Sequence, residues 1–180
     1  SANTGLAHLI GLPNWVNEAH RKFNDGVVRV DLFGVREGSA GDGRFTAPLR
    51  PETPELQPGR SYLIDVVIRT LKMGHLLTEG TGDSNELWMD VLVTSGGRLI
   101  GRSGGLDEDY AVDPWSHFVN SYILDRNGNR IDRRNAQDIY LSLYNNQIPP
   151  GGADVVHFGL DVPGYVRAPI TVEVRLQYRK

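Results

Sequence analysis

The chain has 180 residues, 39% of them hydrophobic and 23% charged, with a net charge of −3. That is enough for one well-cored domain, with no electrostatic pull toward nucleic acid or an anionic membrane. There is no cysteine, so disulfides, thiolate metal sites and covalent haem attachment are excluded within the chain, and no run approaches the roughly 18 apolar residues of a membrane span.

The chain opens on Ser1 with no readable signal peptide, which reads as a mature, cut or processed segment. Residues 1–12 have no clear period. Pro13–Asn24 is predicted as a short helix: Pro13 suits a first turn, Trp15, Ala19 and Phe23 form an apolar stripe, and Asp25-Gly26 ends it. A lone helix of this length needs something to dock on. Residues 1–26 thus form an arm with a docking helix, and 27–180 a β domain.

Val27–Val35 is the first predicted strand, with Val28, Val30 and Leu32 on one face and Arg29 and Asp31 on the other. Ala47–Pro58 is too proline-rich for a central strand. Ser61–Thr70 alternates with apolar residues on both faces, which predicts a central strand covered on both sides. Further strands are predicted at Leu87–Ser95, Arg98–Ser103, Phe118–Leu124, Asp138–Tyr144, Asp154–Val162 and Ile170–Tyr178. Gly96-Gly97 and Asn127-Gly128 mark hairpin turns. In the last strand Ile170, Val172, Val174, Leu176 and Tyr178 face inward. Short strands with turns every 8–12 residues predict an all-β, two-sheet antiparallel sandwich, immunoglobulin-like or jelly-roll-like, with one short N-terminal helix.

The polar crossing Leu71–Asp90 lies between two good strands, where a β domain holds a ligand or a cation. Asp83, Asn85 and Glu86 form a candidate calcium site there, since calcium takes six to eight hard oxygens. The acidic loop with Asp107, Glu108, Asp109 and Asp113 is a second possible donor. Asp125–Asn129 mimics a calcium loop, but its glycine is the fourth residue, and the Asn-Gly pair explains it as a turn. The histidines are His8, His20, His75, His117 and His157, none in a metalloenzyme spacing. The facing of His157 is left open, because one step of register reverses it. No nucleophile elbow, phosphate loop or dinucleotide fingerprint is present. A hydrolase built on His75 or His157 with a carboxylate has no spacing to support it.

Several stretches together carry a family resemblance. They are RVDLFGVREG…APLRPETPELQPGRSYLIDVVIRTLKMGH (Arg29–His75), GTGDSNELWMDV (Gly80–Val91), GRSGGLDEDYAVDPWSHFVNSYILDRNGNRIDRRNAQDIY (Gly101–Tyr140), IPPGGADVVHFGLDVP (Ile148–Pro163) and VRLQYRK (Val174–Lys180). This order resembles the C-terminal, haem-free β region of large bacterial multihaem c-type cytochromes. These are of the doubled Cys-x-x-Cys-His kind, some with tetratricopeptide repeats. The chain departs from them in having no Cys-x-x-Cys-His motif.

The resemblance implies a periplasmic or extracellular, non-catalytic module that supports electron transfer by packing on, or assembling, the haem-bearing portion or subunit. It implies haem c on that partner and none bound covalently here. His75 and then His8 are the implied candidate haem-iron ligands. A homo-oligomer or filament is a further mode of assembly. The alternative from the residues is a calcium-dependent carbohydrate-binding β-sandwich with Trp88, Trp115 or Tyr110 as its solvent-facing aromatics.

Overall fold

The computed structural model describes residues 9–40, 42–51, 53–78, 84–132 and 135–179. Helix α1 is Asn14–Asn24. The strands are β1 (Val28–Glu37), β2 (Phe45–Thr46), β3 (Ser61–Thr70), β4 (Glu86–Ser95), β5 (Arg98–Ser103), β6 (Ser121–Leu124), β7 (Leu141–Asn145), β8 (Ala153–Asp161) and β9 (Ile170–Arg179). They form an all-β sandwich. One sheet has the order β2-β1-β3-β8, the other β5-β4-β9, and β6-β7 is a separate hairpin. Every named pairing is antiparallel.

The core lies where the two sheets face each other. Tyr62, Ile64, Val66 and Ile68 of β3 and Leu87, Met89, Val91 and Val93 of β4 belong to one buried cluster. Both strands present alternate residues to it, as a period of two requires. The predicted inward set of the last strand packs against the same cluster.

In β1 the register shifts between Leu32 and Gly34. This bulge keeps both Leu32 and Val35 turned to the core although they are three residues apart. Gly34 then stands opposite Asp65, and the Phe45 ring lies so close that a Cβ at Gly34 would meet it.

Two predicted strands are cut back at their starts. Phe118–Leu124 shortens to β6, because Phe118 bridges to Trp88 and Val119 donates its N–H to the Leu87 carbonyl at 2.7 Å. These residues continue along the edge of β4 beyond the end of β5. Asp138–Tyr144 becomes a 3-10 turn at Ala136–Asp138 followed by β7. The two-residue β2 had no sequence signal, since it is too short to show alternation; it folds back on the end of β1 across the intervening turn. Helix α1 begins one residue after Pro13 and ends at Asp25 as expected. It buries no residue in this chain, with Trp15 67% and Phe23 77% exposed.

Candidate functional site

Asp65 sits in the middle of β3, on the face opposite the inward set, and is buried. A buried carboxylate needs a partner, because desolvation disfavours the charge. The ladder supplies one. His157 of β8 stands directly across from Asp65, and its Nδ1 lies 2.7 Å from Asp65 Oδ1. An ionised carboxylate only accepts hydrogen bonds, so Nδ1 carries the proton. In the neutral ring Nε2 is then the lone-pair nitrogen, on a side chain 58% exposed.

β8 is an edge strand of its sheet. Two residues before His157, Val155 is 50% exposed. Two residues after it, Gly159 has open space where a Cβ would stand. The outward face of β8 therefore offers an oriented imidazole flanked by a valine and a glycine.

A second histidine–carboxylate pair lies at the end of the same strand. His117 Nε2 is 2.7 Å from Asp154 Oδ2, with both side chains partly covered. Here the outer nitrogen is the one engaged, so this imidazole ties the segment before β6 to β8.

Glu86 opens β4 and is held by two guanidinium groups. Arg179 Nε lies 2.5 Å from Oε2 and Arg130 Nη2 lies 3.3 Å from Oε1. Asn85 is buried and accepts a hydrogen bond from the Tyr178 hydroxyl at 3.0 Å. Both carboxylate oxygens of Glu86 thus face cations, and Asn85 beside it is tied to Tyr178. Asp83 lies outside the described residues, as does His8. Among the described residues, no group of three or more His, Cys, Asp or Glu side chains is placed to hold a metal ion. His75 is exposed, with Nδ1 2.8 Å from the Leu76 carbonyl.

Trp88 is not a solvent-facing platform: it is buried, and its Nε1 donates to the Gly104 carbonyl at 3.0 Å. Tyr110 and Trp115 are 73% and 90% exposed on the Gly104–Ser116 loop. Asp107 organises that loop internally, its Oδ1 accepting the N–H of Asp109 and of Ala111. Asp125 does the same for its turn, accepting from Asn127 and Asn129 at 2.8 Å each.

The Asp65–His157 pair was not singled out from the sequence, yet a signal exists. An aspartate at the centre of an apolar strand demands a buried donor. Which donor meets it depends on the pairing of β3 with β8, 92 residues apart.

The fold and this pair define an all-β sandwich presenting a carboxylate-oriented histidine from an edge strand. No family model and no curated protein matches the chain. Among solved structures, the chain is similar in fold to a penta-heme cytochrome c552 from Thermochromatium tepidum, with a TM-score of 0.54 and 14% identity. The match covers 87% of this chain and 33% of that one, so the chain spans about a third of its neighbour's length. No described helix is long and apolar enough to cross a membrane.

Proposed function

We propose that the chain is the haem-free β module of a multihaem c-type cytochrome, working in the periplasm or outside the cell. It supports electron transfer by packing on, or assembling, the haem-bearing portion, and carries out no bond-breaking chemistry itself. The observation that carries this reading is the fold likeness of nearly the whole chain to a third of a penta-heme cytochrome, in a sequence with no cysteine to attach a haem. The exposed apolar stripe of α1 supports it. A helix of 11 residues is marginal alone in water, and a partner that covers Trp15 and Phe23 would stabilise it.

Haem c on that partner is the implied cofactor. The residues here fit a supporting role toward it: with no thiol they cannot anchor the macrocycle, while an exposed, oriented imidazole can face one.

The test is an antibody raised against the chain, used on the extracytoplasmic fraction of the source cells. Haem staining is expected to coincide with the immunoreactive species, either as one longer polypeptide or as a co-precipitated subunit. An immunoreactive band of about the size of this chain, free of haem-stained protein, overturns the reading.

A second reading, the calcium-dependent carbohydrate binder, keeps Tyr110 and Trp115 as exposed aromatics but loses Trp88 to the interior.

A further inference from the structure

The Asp65–His157 pair has the arrangement by which proteins prepare an imidazole to bind a metal. One ring nitrogen donates to a carboxylate, which fixes the tautomer and the ring plane and raises the basicity of the other nitrogen. The carboxylate here is buried, lies on the central strand β3, and meets the Nδ1 of His157 at 2.7 Å. Two ordered strands of 9 and 10 residues hold the pair, which is a stiffer base than a loop.

The site supplies one ligand and no more. A single imidazole holds a bare divalent ion poorly against water, and the described residues offer no cluster of three ligands. A metal already seated in a macrocycle is different, because it needs only an axial donor. The exposed Val155 and the open space at Gly159 suit the approach of a flat apolar ring to Nε2.

Of the other described histidines, His117 has its outer nitrogen on Asp154, and His75 lies on the exposed crossing after β3, with Nδ1 beside the Leu76 carbonyl. His20 lies on α1, which buries no residue in this chain.

We propose that His157 is an axial ligand for a haem iron presented from outside the sandwich, and that Asp65 is its positioning residue. The inference rests on the cytochrome reading and deepens it by naming the contact.

The experiment is a titration of the chain with ferric protoporphyrin IX, followed by the Soret band and by electron paramagnetic resonance, beside a parallel titration with Ni²⁺. The wild-type chain is expected to give a saturable histidine-ligated signature with the porphyrin. His157→Gln keeps a donor for Asp65, so the fold survives, and is expected to lose that signature with at least a tenfold fall in affinity. Asp65→Asn is expected to weaken binding about 10- to 100-fold with an altered spectrum, while His75→Ala binds as wild type. Ni²⁺ should bind wild type and His157→Gln alike.

Wild-type-like porphyrin ligation by His157→Gln overturns the proposal, as does loss of ligation in His75→Ala. A Ni²⁺ affinity that depends on His157 and matches that for the porphyrin overturns the choice of a haem over a bare ion. Unchanged binding by Asp65→Asn removes the positioning role. If the antibody still brings down haem protein while His157→Gln ligates normally, the cytochrome reading stands and this inference falls.

Discussion

Gly104 sits at φ +83°, and a Cβ built there would overlap the Met89 carbonyl oxygen and stand 2.9 Å from the Asp90 Cα. Both obstacles are backbone of the central strand β4 and cannot swing aside. The close approach is what brings the Gly104 carbonyl within reach of the Trp88 indole. Gly104→Ala is expected to cost about 2 kcal/mol or more through strain and overlap. In a domain of this size that lowers the melting temperature by about 4–8 °C, and the near-ultraviolet dichroism of Trp88 should change with it. A melting temperature within a degree of wild type would show that the loop simply relocates. Gly104 was legible only as the start of an acidic loop. Its reason for being glycine is a contact with residues 14 and 15 positions earlier, which no local pattern encodes.

Among the elements, the tight turn that follows β6 and closes the Leu124–Arg130 bridge is held by the Asp125 carboxylate. Asp125 is partly exposed, and its pKa is lowered chiefly by the Asn129 side-chain amide, then by the backbone N–H groups of Asn129, Asn127 and Gly128. A pKa lower in the folded state means stability that is present above the unfolded value near 3.8 and lost as pH falls through the folded value. Amide resonances of Asn127 and Asn129 are therefore expected to hold steady from pH 7 to about 4 and to move only below it. Asp125→Ala should abolish that acid step. An acid step beginning above pH 4 would contradict the assigned hydrogen bonds. The turn itself was legible in the sequence, because Asn-Gly is a local signal. The shortening of the strands on either side was not, since Phe118 and Val119 are claimed by β4.

At the scale of the whole molecule, Glu86 joins three distant parts of the chain: the start of β4, Arg179 of β9 and Arg130 beside the hairpin turn. Glu86→Gln is expected to cost about 1 kcal/mol, because partly exposed ion pairs contribute little individually. The melting temperature should fall by about 2–4 °C, and the loss should shrink in 1 M salt, where screening is strong. Calcium should leave the wild-type melting temperature unchanged, since the Glu86 oxygens already face guanidinium groups. A rise with calcium that EDTA reverses would establish the cation site and favour the carbohydrate reading.

The succession of strands other than β2, the inward set of β9 and the central position of β3 follow from alternation and turn residues alone, because each depends on neighbours a few positions away. The bulge at Phe33, the capture of Trp88 by Gly104 and the meeting of Asp65 with His157 were decided only when the sheets closed. Their partners lie far apart along the chain, and sheet register, not local pattern, sets which side chains touch.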